Sequence, residues 1–319
     1  MPIYPKILKK GDLVGLVAPA SPPFKASYID KVISVLERKG FRVIEGRSLR
    51  KRHGFLAGTD KERASDLMSM FANSKVKAIF CLRGGYGCGR ILSLLDYKLI
   101  ARSPKIFLGF SDITALHMAI SKKSKLISFH GPVGTSLMKN PSGFSWDTLE
   151  RTLMSSRAPG SLLQGLGKKD QTLEVIRNGE ATGRLIGGNL SVLAASIGTD
   201  YLPSFKGKIL LIEEIDERPY AIDRLLTQFL NTGLLQKVSG IMLGAFISCD
   251  HPSNSKSREY KQSYEDVLYE RLYSLGVPVL KGLPIGHQDL NACVPIGAKV
   301  RLCAGRKSDL IIEEAVVRD

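Results

Sequence analysis

Lys105-Ile-Phe-Leu-Gly-Phe-Ser-Asp-Ile-Thr-Ala-Leu-His117 opens on a short apolar run, 106–108, the length of a buried parallel strand. Gly109, Phe110 and Ser111 follow, and from Asp112 onward Ile113, Leu116, Ala119 and Ile120 keep helical spacing. A serine at such a strand-to-helix turn has a physical use. The tight turn pushes its hydroxyl out of the sheet edge, and the free N–H groups of the new helix point where an oxyanion would form. Gly109 supplies half of a G-x-S-x-G nucleophile elbow, while Ile113 stands where the second glycine would be. The competing reading is an ordinary N-cap serine.

Outward from that stretch, the first half alternates strands and helices. Residues 12–18, 41–44, 76–82 and 126–129 are short apolar runs. Between them lie helical patterns: Ile29, Val32, Ile33 and Leu36 end at a Gly40 stop, and a Thr59-Asp-Lys-Glu62 capping box precedes Leu67, Met68 and Phe71. Repeated β–α–β units imply right-handed crossovers and a parallel sheet covered on both faces, with functional sites at the carboxyl ends of strands. Ser111 and the glycine-rich loop Arg83-Gly-Gly-Tyr-Gly-Cys-Gly-Arg90 both fall there. A Ser145-capped helix spans 146–153, and the Gly- and Lys-rich stretch after it reads as a linker. The remainder carries strands at 172–176, 208–212, 240–247, 299–303 and 310–315, with helices at about 190–197, 219–230 and 263–275. The expected fold is α/β: an N-terminal doubly wound, mostly parallel sheet domain (1–155), a linker (156–171), and a smaller C-terminal α+β barrel-like domain (172–319).

Composition narrows the function. The chain has 319 residues, 44% of them hydrophobic and 24% charged, enough for a substantial core. No apolar run approaches the roughly 18–20 residues of a membrane span, and the N-terminus lacks a signal-peptide pattern, so a cytoplasmic protein is expected. Five scattered cysteines without a C-x-x-C pair fit reduced thiols, and five histidines show no H-E-x-x-H spacing. The net charge of +16 is spread over short clusters without interleaved aromatics, which fits a solvated basic surface better than a nucleic-acid site. The stretch 250–262 reads as a polar, basic surface loop.

Three constellations can carry chemistry. The glycine-rich loop has Gly85-x-Gly87 but neither the third Rossmann glycine, where Arg90 stands, nor a Walker lysine. Its glycines can instead let backbone amides approach a reacting oxygen, or simply make a turn. The strand end Glu213-Glu214-Ile-Asp216-Glu217 gathers four carboxylates, which can bind a cation, face solvent, or supply one group that orients a histidine. His287, in a loop flanked by Gly and Pro, can reach across a cleft as a general base, with His117 and His130 as rivals. Thr114 occupies the S-x-x-K lysine position, which argues against a Ser–Lys dyad.

In order, Arg83-Gly-Gly-Tyr-Gly87, Gly109-Phe-Ser-Asp-Ile-Thr114, Gly187-Gly-Asn-Leu190, Ile212-Glu-Glu and Gly282-Leu-Pro-Ile-Gly-His287 resemble the LD-carboxypeptidase family of bacterial serine peptidases. The likeness runs over 11–297. It implies a Ser–His–Glu triad assembled between two domains: Ser111 as nucleophile, His287 as general base, Glu213 as the residue that orients it. The family pattern has Glu-Asp where this chain has Glu213-Glu214, and Glu213 aligns as the orienting group. The resemblance further implies an oxyanion hole from the N–H groups of Gly85 and Asp112, and neither a metal nor an organic cofactor. It implies release of terminal D-Ala from a murein tetrapeptide or related small peptide in peptidoglycan recycling, by a cytoplasmic homodimer with no nucleic-acid or membrane partner. An immunity-type amidase acting on peptidyl- or aminoacyl-nucleotides and a non-catalytic anion-binding protein are the alternatives.

Overall fold

Five short apolar strands build the first sheet: β1 (Leu13–Val17), β2 (Arg42–Glu45), β3 (Val76–Cys81), β4 (Ile106–Gly109) and β5 (Ser128–His130). All pair in parallel, in the spatial order β5-β4-β3-β1-β2. Alternate residues feed opposite faces, as the pleat requires: Ala78, Phe80, Ile106 and Leu108 join one core, and Ile79, Cys81 and Phe107 the other. The second core is covered by α2 (Asp60–Ala72), α3 (Cys88–Ile91), α4 (Tyr97–Arg102) and α5 (Thr114–Lys123); the first by α1 (Ser27–Arg38), α6 (Gly134–Lys139) and α7 (Phe144–Leu153). The Thr59/Glu62 capping box forms as the sequence indicates, and Lys39 and a positive-φ Gly40 close α1. The structure is a computed structural model describing residues 1–139, 143–250 and 262–319. The expected surface loop 250–262, His251 included, lies outside the described residues except for its two ends.

The second sheet has eight strands: β6 (Gly160–Ser161), β7 (Glu174–Arg177), β8 (Gly179–Asn189), β9 (Lys208–Ile215), β10 (Gly240–Ile247), β11 (Val279–Lys281), β13 (Lys299–Ala304) and β14 (Asp309–Ile312). Its centre, β8-β9-β10-β11, is parallel, joined by α8 (Leu190–Ala195), α9 (Pro219–Asn231) and α10 (Tyr264–Leu272); antiparallel strands flank it on both sides. The sheet curls until β11 contacts β13. The core on one face of the first sheet continues into this second sheet without a break.

Four differences from the sequence reading matter. The strand β8 was not expected, because four of its eleven residues are glycine. Its Gly187 is obligatory: a Cβ there would lie 2.1 Å from the Leu211 carbonyl oxygen. The stretch 156–171, expected as a linker, contains β6 and buries Leu162 and Leu166. A short strand from the C-terminal half, β12 (Val294–Ile296), crosses back to pair antiparallel with β5 at the edge of the first sheet. Finally, Ser145 is not a cap, since α7 starts after Gly143; its hydroxyl donates to the Asp289 carbonyl and accepts from Asn291 N–H, holding the loop that carries His287.

Candidate active site

Ser111 lies two residues beyond β4 and one turn before α5. Its φ of +66° is left-handed, a conformation that strains an L-residue by roughly 1–2 kcal/mol. It caps no helix. Instead its Oγ stands 3.0 Å from His287 Nε2, and His287 Nδ1 stands 2.7 Å from Glu213 Oε2. Three distant segments, from the ends of β4 and β9 and the loop after β11, thus meet in one line.

The two adjacent glutamates part because successive strand residues face opposite sides. Glu213 is fully buried and turns to His287. Glu214 turns the other way and accepts from Asn189 Nδ2, Ser191 N–H and Oγ, and its neighbour's Ile215 N–H. Burial pushes its carboxyl above the ordinary range, against those hydrogen bonds. Of the other two carboxylates at this strand end, Asp216 is exposed and Glu217 lines the cleft beside Ser111. Gly286, at φ +109°, lets the His287 loop pass over Glu213; a Cβ there would sit 2.7 Å from Glu213 Oε2. Asn291 Oδ1 accepts the Gly286 N–H at 3.0 Å and fixes that passage.

Burial alone would lower the His287 pKa. The hydrogen bond that His287 donates to Glu213, and the charges of Glu213, Glu214 and Asp216, outweigh it, so the imidazole is more basic than an ordinary histidine. The rival histidines are different. His117 is buried, donating through Nε2 to the Gly109 carbonyl and accepting through Nδ1 from Ser128 Oγ; burial pushes its pKa down to about 4. His130 is buried too, and burial holds it well below the ordinary value. Neither reaches Ser111, though the Phe110 ring packs against both His130 and His287.

The glycine-rich loop lies beside Ser111. Ser21 Oγ accepts Tyr86 N–H at 3.1 Å, and the Asp112 carboxylate accepts Cys88 N–H at 2.7 Å, which ties the loop to the serine turn. The Gly85 N–H has no partner among the described residues, and Asp112 N–H lies in the first turn of the short helix that starts at Ser111. Gly85, Ser111 and Asp112 share a cleft of about 510 Å³ with Asn189, Glu214 and Glu217. A second cavity, about 210 Å³, lies on the His287 side between Phe110, Ser145 and Asn291.

Sequence reasoning did not single out Arg63, a fully buried cation on α2. It donates to the Pro19 and Gly87 carbonyls and pairs with Asp60, joining the Ser21 segment to the glycine-rich loop. The available signal was its place one turn before Leu67 on the buried stripe of α2.

A strained serine, an imidazole and a buried carboxylate in hydrogen-bonded series define the serine hydrolase class of site. Family comparisons narrow this class. The LD-carboxypeptidase N-terminal domain matches residues 14–131 and the LD-carboxypeptidase C-terminal domain residues 182–302. The chain belongs to the LD-carboxypeptidase family and is a serine-type peptidase of it. It is 40% identical to a probable murein peptide carboxypeptidase of Bacillus subtilis (strain 168), over 96% of this chain and 93% of that one. It is 36% identical to a murein tetrapeptide carboxypeptidase of Pseudomonas aeruginosa, covering 89% and 91%. Among solved structures, an inactive mutant of the microcin C7 self-immunity protein MccF superposes with a TM-score of 0.87 at 25% identity, covering 99% of this chain and 100% of that one.

Proposed function

We propose that this protein is a cytoplasmic LD-carboxypeptidase that hydrolyses the amide between the L-centre of the diamino acid and terminal D-Ala in murein tetrapeptides. The observation that carries the reading is the hydrogen-bonded series Ser111 Oγ, His287, Glu213, with contacts of 3.0 and 2.7 Å. In it, Glu213 accepts the Nδ1 proton of His287, so Nε2 is the lone-pair nitrogen facing the serine. Nε2 takes the Ser111 proton as Oγ adds to the amide carbonyl. The developing oxyanion is met by the N–H groups of Gly85 and Asp112; one such donor is worth roughly 2.7–4 kcal/mol of barrier. His287 then protonates the departing amine, D-Ala leaves, and a water activated by the same nitrogen cleaves the acyl-enzyme.

Two further observations support the substrate. The relatives named as murein peptide carboxypeptidases share 36–40% identity with this chain. The cleft beside Ser111 carries the Glu217 carboxylate, which suits the free ammonium of a diamino acid and disfavours a phosphate group. Free cysteines, all five of them, fit a reducing compartment.

The test is D-Ala release from purified murein tetrapeptide by wild type, Ser111→Ala and His287→Ala, with and without chelator. Wild type alone should release D-Ala, indifferent to chelator, and loss of the nucleophile should lower the rate on the order of a million-fold. An inert wild type would turn the reading toward an amidase of the self-immunity kind, assayed on an aminoacyl-nucleotide amide. Full activity in Ser111→Ala would overturn the mechanism.

A further inference from the structure

A basic cavity lies away from this site. With a volume of about 370 Å³, it is lined by Lys122, Lys125, Arg184 and Lys208, with the hydroxyl-bearing Ser121 and Ser204, and no carboxylate among the described residues lines it. The four cations come from three places: the C-terminal end of α5 and the residues after it, the middle of β8, and the start of β9. Two of them have acidic partners outside the cavity: Lys122 reaches Asp200 at 3.2 Å, and Arg184 reaches Glu314 at 3.5 Å. Lys125 and Lys208 have no ion-pair partner among the described residues. Burial, and then the nearby Arg184 guanidinium, push the Lys208 ammonium below its ordinary value, the direction expected of a cation with no carboxylate beside it. Gathering like charges into one concavity is unfavourable unless an anion occupies it.

The cavity is separate from the catalytic cleft. Lys208 and Glu213 are five residues apart on β9, roughly 16 Å at strand rise, and Arg184 and Asn189 are equally spaced on β8. Lys122 is eight residues from Thr114 on α5, about 12 Å at helical rise. The three elements that reach the Ser111 cleft at one end therefore pass this cavity farther along their length, β8 at its middle and β9 and α5 at their far ends.

We propose that this cavity is a binding site for a small multivalent oxyanion of the phosphate class, distinct from the Ser111 cleft. Its charges come as ammonium and guanidinium donors on two adjacent strands and a helix end, with two hydroxyls between them, which suits several closely spaced anionic oxygens. A monoanion would leave most of that charge unpaired.

The experiment is calorimetric titration of the full chain at about 0.15 M salt, a Debye length near 8 Å, with inorganic pyrophosphate and, separately, ADP. Saturable one-to-one binding is expected, unchanged in Ser111→Ala and weakened at least tenfold in Lys208→Gln. Lys125→Asn should weaken it likewise, and asparagine is the non-glycine residue best suited to the left-handed φ of +57° there. Thermal melts of both variants establish that they fold. Equal affinity for the two probes assigns the site to the inorganic group, and tighter ADP binding to an organic phosphate. Three results would each overturn the proposal: no saturable binding, unaltered binding in both folded lysine variants, or an equal loss on changing the exposed Lys168 and Lys169 to Gln.

Discussion

Replacing Glu213 with Gln asks the most of the proposed mechanism, because it removes a charge with almost no change of shape. Glu213 Oε2 holds His287 Nδ1 at 2.7 Å, and Oε1 is buried with no partner among the described residues. A glutamine must place its NH2 at one of those two positions. At the Oε1 position the amide donor would be buried and unpaired, at a cost of roughly 1–3 kcal/mol. Turned toward His287, it finds an acceptor only if Nδ1 is unprotonated, which puts the proton on Nε2, facing Ser111. That tautomer cannot take the serine proton. Loss of the carboxylate also removes the charge that stabilises the imidazolium, and in a comparable triad this lowers kcat by about 10⁴, or roughly 5 kcal/mol. The pH profile supplies an independent readout. Wild-type kcat/KM should fall on the acid side with a midpoint above the ordinary histidine value of 6.5, since His287 must be neutral to act and its pKa is raised. In Glu213→Gln the influences that raise it weaken while burial persists, so the residual activity should keep its acid limb to lower pH. Glu214→Gln is the comparison: its carboxylate serves Asn189, Ser191 and Ile215, so the variant should lose stability and retain far more activity. Activity of Glu213→Gln within tenfold of wild type, an unmoved acid limb, or a larger loss in Glu214→Gln would refute the reasoning.

The strain at Ser111 predicts that Ser111→Gly, though inactive, is more stable than Ser111→Ala by about 1 kcal/mol, because glycine adopts a φ of +66° without a Cβ clash. Urea unfolding of the two variants measures this, and equal midpoints would remove strain from the account. His117 binds a proton in the unfolded chain from about pH 6.5 downward but in the folded protein only near pH 4. Its contribution is therefore present above pH 6.5 and lost as pH falls toward 4, about 3 kcal/mol in all, with buried His130 acting in the same direction. Unfolding midpoints of Ser111→Ala that stay level between pH 7 and pH 4.5 would contradict it.

How much of this was legible in the sequence depends on what each residue answers to. The parallel strands of the first sheet are apolar on both faces, so 76–82 and 106–108 read as strands from their own composition. The strand β8 answers instead to its neighbours, for Gly183 and Gly187 let β9 approach and Gly188 lets Thr114 approach, and propensity hides it. Pro295 conceals β12 in the same way, since proline argues against a strand until the strand is known to lie at an edge. Ser111, Gly85 and His287 stood out as candidates because each sits in a local motif marked by adjacent glycines, while the roles expected of them came from the family resemblance. The choice between Glu213 and Glu214 was of another kind. The two are chemically alike and adjacent, and only the pleat of β9 against the His287 loop decides which one faces the imidazole. Gly286 then makes the choice rigid: any side chain there would strike Glu213, so the loop can carry His287 to that carboxylate only along a glycine. Residues that act through backbone approach are thus visible in a sequence mainly as glycines without a local reason, and the reason lies on another strand.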